Sequence, residues 1–326
     1  MLTRRTLSSA LAAAAALALG NVAASAQAWP SRPITLVVPF GAGTASDSLA
    51  RPLAEFLGRE LGQSVVIENR AGAGGITGIA LVSKADADGY TLGIATSGTL
   101  AMNVVLQSKM PYDPLKDLTL VTQAASVAEL LVVGPQVPAK SMAELVALAK
   151  AQPGKINFAS TGLGSMPHMA AELFKITAGI DIVHVPYTGA APAVNDMLGG
   201  HVQMLFADVP VLLGSVQSGK LRALAVGSTK RVAVLPDVPT TAQAGMPQVE
   251  ADNWYGIVAP AAMPPAIAAK LTAAVISAVK SAEVTDKLAK QGVVTVGSST
   301  AQFTAYVKGE IDRWGKLVKT AGIKLK

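Results

Sequence analysis

The chain has 326 residues, about half of them hydrophobic, with 27 basic and 21 acidic side chains and no cysteine. Without cysteine there is no disulfide, no thiolate nucleophile and no cysteine-held metal or cluster, and a formal charge of +6 is too mild to signal a nucleic-acid partner. The length exceeds one typical core, so two packed domains are expected.

Residues 1–28 read as an export signal. Arg4 and Arg5 precede an apolar run from Leu7 to Leu19, shorter than the ~20 residues of a membrane span. The small residues of Ala24-Ser25-Ala26 and Ala26-Gln27-Ala28 suit a signal peptidase, so cleavage after Ala26 or Ala28 and a periplasmic location are expected. The paired arginines also admit a folded-export route, but the consensus around them is incomplete and the unfolded route is favoured. No later run of ~20 uninterrupted apolar residues suggests a membrane span.

Ile34–Pro39 reads as a strand that empties into Gly41-Ala42-Gly43-Thr44 and then a helix with Leu49, Leu53, Phe56, Leu57 and Leu61 at helical spacing. Small residues let peptide N–H groups converge on one oxyanion, helped by the positive end of the helix. Pro52 either kinks this helix or marks its true first turn. Further strands are expected at Val65–Glu68, Thr91–Thr96, Glu129–Val133, Asn157–Ser160, Ile182–Pro186, Met204–Ala207 and Arg222–Ser228. Between them lie helical stretches, one capped by Ser141 and stopped by Pro153-Gly154; Gly72-Ala73-Gly74-Gly75 reads as a tight turn more readily than as a second anion loop. This alternation predicts parallel sheets covered on both faces. Thr161-Gly162-Leu163-Gly164-Ser165 opens a helix much as the first loop does, at a strand's carboxyl end, and two such units facing one another would make a cleft. The tail from Pro265 to Lys326 reads as helical and is expected to return over the first sheet.

Enzyme chemistries fit poorly. The first loop approaches a dinucleotide fingerprint, but Pro39-Phe40 intrudes, Ser46 stands where the third glycine belongs, and Glu68 lies later than the usual ~20 residues. There is no G-x-S-x-G elbow, and His168, His184 and His201 are too far apart in sequence for a local metal site. His168, early in its helix, could meet a ligand or anchor its own loop; His184 suits a sheet face and His201 an exposed turn. Asp208 follows an apolar strand and should face the cleft, or else tie down its own turn.

Many short motifs, in order, carry a resemblance across the whole mature chain. They include Trp29-Pro30-Ser31-Arg32-Pro33-Ile34, PFGAGTASD, Glu68-Asn69-Arg70, Asp88-Gly89-Tyr90-Thr91-Leu92 and Tyr112-Asp113-Pro114. Val185-Pro186-Tyr187, Leu198-Gly199-Gly200, Leu235-Pro236-Asp237-Val238-Pro239-Thr240 and Trp254-Tyr255-Gly256 continue it. The chain resembles the periplasmic solute-binding proteins of tripartite tricarboxylate transporters, the Bug family.

That resemblance implies a two-lobed α/β binding-protein fold of the type II-like, Venus-flytrap kind, each lobe a sheet flanked by helices. Residues 29–127 would begin the first lobe, 128–251 form the second, and 252–326 return to the first. It implies capture of a small organic carboxylate, whether a mono- or dicarboxylate, an amino acid or an aromatic acid, and delivery to membrane transporter subunits, by a monomer with no cofactor, metal or catalytic residue. By resemblance Phe40, Gly41, Ala42, Gly43, Thr44 and Asp47 form one arm of the site, while Thr161, Gly162, Ser165 and His168 form the other. Tyr187, Thr188, Gly189 and Ala190 would add a wall, with Thr96, Ser97 and Asp208 near the ligand's distal end. Thr44 departs from the family's usual glycine and narrows the pocket mouth; Asp47 in a helix's first turn also suits a capping role. A secreted α/β enzyme acting on a small carboxylate, and a receptor serving signalling, remain the alternatives.

Overall fold

The structure, a computed structural model, describes residues 29–321; the export signal read at residues 1–28 lies outside the described residues. In the first half, β1 (Ile34–Val38) is flanked by β2 (Val65–Asn69) and β3 (Thr91–Thr96), all parallel, with α1 (Ala45–Leu61) and α2 (Ile76–Ser83) as crossovers. Pro52 lies inside α1 rather than opening it. The 72–75 glycines take positive φ, as a tight turn requires. After β3 comes a single turn of π-helix at Gly98–Met102, leading into the short α3 (Asn103–Leu106).

β4 (Leu118–Val133) belongs to both halves. Its residues 118–128 pair antiparallel with β9 (Asp252–Pro260), and 129–133 pair with β7 (Met204–Asp208). β9 in turn pairs with β3, which closes the first sheet in the order β2, β1, β3, β9, β4. In the second half β7 is followed by β5 (Ile156–Ser160) and β6 (Ile182–Pro186), parallel to one another, and β8 (Arg222–Val226) runs along the end of β4. The helices of this half are α4 (Met142–Ala151), α5 (Met166–Ala178), α6 (Ala190–Gly199) and α7 (Val209–Gln217). Ser141 caps α4 as predicted, accepting from the Glu144 N–H at 3.2 Å. The two half-sheets with their helices make the two-lobed α/β fold.

The strand predicted at 129–133 is thus the last third of a much longer one. Its first part, Leu118-Thr119-Leu120-Val121-Thr122-Gln123-Ala124-Ala125, lacks a period-two alternation because two register shifts against β9 interrupt the pleat near Thr122 and Gln123. The tail is mostly helical, in α8 (Pro265–Lys280), α9 (Ala282–Ala289) and α10 (Thr300–Ala321), but a short β10 (Val293–Thr295) adds to β4 between them. Trp254 of β9 and Trp314 of α10 are buried and both donate to Glu310 Oε2, at 3.0 and 3.2 Å. A Cβ on Gly256 would fall 2.1 Å from the Phe303 ring, so α10 lies this close to β9 only because glycine stands there.

Candidate functional site

The helices α1, α5 and α6 begin at the carboxyl ends of β1, β5 and β6, and α7 begins directly after β7. A narrow, partly enclosed cavity lies where they meet. Ala45 and Ser46 of α1, Met166 and Pro167 of α5, Ala190 of α6 and Asp208 with Val211 at α7 all line it. Four helix N-termini therefore converge on one space, and none of the lining residues is basic. The first N–H groups of a helix have no partner within it, and its N-terminus carries partial positive charge, so such a convergence is suited to an anion.

The two glycine loops are built alike, position for position. Thr44 and Ser165 occupy the cap positions of α1 and α5 yet do not cap with their side chains. Thr44 Oγ1 instead donates backwards to the Gly41 carbonyl at 2.9 Å, and Ser165 Oγ to the Gly162 carbonyl at 2.7 Å. Hydroxyls that would ordinarily satisfy the helix amides are turned away from them, so those amides are left without a side-chain cap. One residue earlier, the Gly43 N–H donates to Asp47 Oδ2 at 3.0 Å and the Gly164 N–H donates to His168 Nδ1 at 3.2 Å. Gly43 and Gly164 have φ of 80° and 70°, and each loop needs glycine there.

Asp47 is buried and also accepts from Arg51 and Asn69. Burial raises its pKa, but the hydrogen bonds from Gly43, Arg51 and Asn69 outweigh it and hold the carboxyl below its usual value. His168 stacks on His184 at 4.2 Å between ring centroids, and His184 stacks on Phe158 and meets Ser160 Oγ at 2.6 Å. Burial first, and repulsion between the rings second, push His168 down to about 3; burial, with a contribution from Lys175, pushes His184 to about 4. His168 is therefore a neutral acceptor that anchors its own loop.

Across the cavity, Asp208 accepts from Tyr255 Oη at 2.7 Å and from Asn253 Nδ2 at 3.0 Å, and Ser97 Oγ donates to Asn253 Oδ1 at 2.6 Å. Burial raises the Asp208 carboxyl to about 6 against the pull of those hydrogen bonds. Segments of the two halves touch one another. Asn103 Nδ2 donates to the Gly164 carbonyl at 3.2 Å, and Gly74 lies so near the Leu163 carbonyl that a Cβ would be 2.3 Å from it.

Of the residues named from the sequence, Phe40, Thr44, Thr96, Thr161, Ser165, Ala190 and Asp208 line the cavity. Gly41, Gly43, Asp47, Gly162 and His168 stand behind it and hold the loops, and Ser97 supports Asn253. Ala42, Tyr187, Thr188 and Gly189 are not among the lining residues; Tyr187 Oη is directed to Asp196 at 2.7 Å. Asn253 and Tyr255 complete the distal wall; the sequence places Tyr255 in the Trp254-Tyr255-Gly256 motif but assigns neither residue to the site, because Asp252–Pro260 does not read as a strand. As residues i and i+2 of β9 they share one face, with Trp254 packed on the other. Among the described residues no cluster of acids and histidines is placed to hold a metal ion, and no helix is long and apolar enough to cross a membrane.

A family profile described as tripartite tricarboxylate transporter family receptor matches residues 49–323. The protein BugT of Bordetella pertussis is 40% identical over 313 residues, covering 95% of this chain and 96% of that one. An R. palustris protein solved with adipate is 39% identical and superposes with a TM-score of 0.88 over 91% of this chain and 99% of its own. MatC from Rhodopseudomonas palustris, solved with bound malate, is 32% identical with a TM-score of 0.85 over 89% of this chain and the whole of its own.

Proposed function

Since the chain belongs to the tripartite tricarboxylate transporter receptor family, we propose that it captures a small organic carboxylate between its two halves outside the cytoplasm and hands it to a membrane transporter. The observation that carries this reading is the convergence of α1, α5, α6 and α7, with the cap hydroxyls of α1 and α5 turned away, which leaves dipoles for one carboxylate and no lysine or arginine to demand a stronger anion. Phe40, Thr44, Ser46, Thr161, Ser165 and Ala190 would surround the carboxylate, while the residues behind them keep the loops in shape. In this reading residues 29–127 with the returning C-terminal segment, and residues 128–251, are the two bodies that close. That R. palustris relatives were solved with adipate and malate supports the ligand class. The protein acts as a monomer without cofactor and releases its ligand unchanged.

Thermal-shift screening of the purified protein against mono- and dicarboxylates, amino acids and aromatic acids tests the proposal. A true ligand at 100 times its dissociation constant should stabilise the fold by ~2.7 kcal/mol and be recovered intact. No stabilisation by any carboxylate, or conversion of the one that binds, would overturn it.

A further inference from the structure

Directly opposite Asp208 in the antiparallel pairing of β7 with β4 stands Glu129, at the point where β4 passes from one half-sheet to the other. Residues directly opposite one another in such a pair project to the same face of the sheet, so the Glu129 carboxyl shares the face on which Asp208 lines the cavity. Glu129 is fully buried, and neither of its carboxyl oxygens has a hydrogen-bond partner. A charge left so would cost far more than a neutral acid, so Glu129 holds its proton; burial and the carboxylates of Asp208 and Asp252 push it well above the ordinary range. Asp208 differs in accepting from Tyr255 and Asn253, and it is the member of the pair that can ionise.

We infer that Glu129 and Asp208 act as one carboxyl pair that selects ligands by the charge of the end opposite the anchored carboxylate. With a single proton on the pair, Asp208 accepts an ammonium or a hydroxyl from the ligand's far end. A second ligand carboxylate enters only when one proton is taken from solvent onto Asp208, because two carboxylates in contact in a dry site cannot both stay ionised. The charged and titratable groups around the pair do not supply a countercharge. β9 contributes Asp252, itself raised to about 6, and Tyr255; α1 contributes Asp47, already paired with Arg51; α5 contributes the neutral His168. Arg313 bears on Asp252 rather than on the pair, and Glu250 opposes it there. This inference rests on the carboxylate-receptor reading and deepens it: the ligands preferred at neutral pH are amino acids, ω-amino acids and hydroxy acids of fitting length, and dicarboxylates gain as pH falls.

Sets matched in length separate the two claims: adipate, ω-aminohexanoate and hexanoate; glutarate, ω-aminopentanoate and pentanoate; terephthalate, aminomethylbenzoate and benzoate. Each is titrated calorimetrically from about pH 6 to about pH 8, in two buffers that differ in ionisation enthalpy. The affinity ratio of the amine-bearing acid to the dicarboxylate should rise with pH by up to ~10-fold per unit, and buffer-dependent heat should show one proton taken up with the dicarboxylate alone. Asp208→Asn should abolish that pH dependence and favour the dicarboxylate, whereas Glu129→Gln, nearly isosteric and neutral like the protonated acid, should keep it while moving its midpoint. The wild-type proton uptake keeps the test available if Asp208→Asn does not fold. A ratio independent of pH with no proton uptake, while members of a set do bind, overturns the pair and spares the receptor reading. No binding by any member of any set sinks both.

Discussion

Gly43 and Gly164 do the same local work in two different surroundings. Each sits at positive φ and gives its N–H to the residue four positions on, so alanine at either strains the backbone by ~1–2 kcal/mol. A Cβ at Gly43 meets nothing within 4 Å, whereas one at Gly164 would come to 2.1 Å from Asn103 Oδ1, which belongs to the other half of the molecule. Gly43→Ala is therefore expected to lower stability by that strain alone. Gly164→Ala should lose a similar amount of stability but also hold the halves apart, weakening the bound carboxylate at least ~10-fold more, about 1.4 kcal/mol. Urea unfolding and calorimetric titration of the two variants side by side measure both quantities, and equal losses of affinity would mean that the Asn103 contact is not part of closure.

Each loop with its strand and helix is a repeated element, and the repeats differ in the group that ties the loop: an ionised Asp47 in one, a neutral His168 in the other. His168 and His184, held near 3 and 4 in the fold, take up protons first in the unfolded chain, whose histidines titrate near ~6.5. Their stabilising contribution is complete above that value and is lost as pH falls toward 4. Asp208 and Asp252, raised to about 6, act in the opposite sense: the folded state keeps their protons, so stability falls as pH rises from ~4 to ~6. Across that window the two histidines offset the two aspartates, while Glu129, which also keeps its proton in the fold, is left uncompensated, so the unfolding free energy should fall as pH rises. His184→Phe keeps an aromatic ring in the stack and removes one titration, so its stability should fall by up to ~1.4 kcal/mol per pH unit as pH rises through the window, relative to wild type. Denaturant midpoints at half-unit pH steps would show it; parallel curves for both proteins would mean that His184 titrates normally. The repeat itself was legible in the sequence, because glycines and hydroxyls at matched spacing after an apolar strand are local signals. What was not legible depends on partners far away in the chain. The bulged first part of β4 carries no clean alternation, and Asn253 with Tyr255 becomes a wall only once β9 lies between β3 and β4. Nor does sequence reveal that the Gly43 amide goes to Asp47, since that requires the loop's actual turn.

At the scale of the molecule, the two halves are joined by β4 as it changes partner between Ala128 and Glu129 and by the nearby start of β9, where the Ala251 carbonyl accepts from the Glu129 N–H at 3.1 Å. Few strands cross, while the two halves also touch through Asn103, Gly74 and the 162–164 segment. Such an arrangement bends at the crossing and parts at the loops, and a ligand carboxylate held by amides from both sides favours the closed form by its differential affinity. The far edges of the sheet path are β2 and β6, and each bears an exposed valine, Val66 and Val183. The chain lacks cysteine, so Val66→Cys with Val183→Cys gives two unique dye sites, one on each half, at little cost in stability. With the carboxylate identified by thermal shift, the transfer efficiency between dyes should change on saturation along the same binding curve that calorimetry gives, and small-angle scattering should show a smaller radius of gyration. If the Asn103 contact at Gly164 forms on closure, Gly164→Ala in the same labelled background should leave the ligand-free efficiency unchanged and reduce the ligand-induced change. If saturating ligand alters neither distance nor radius, the cavity is preformed and the two halves work as one rigid body.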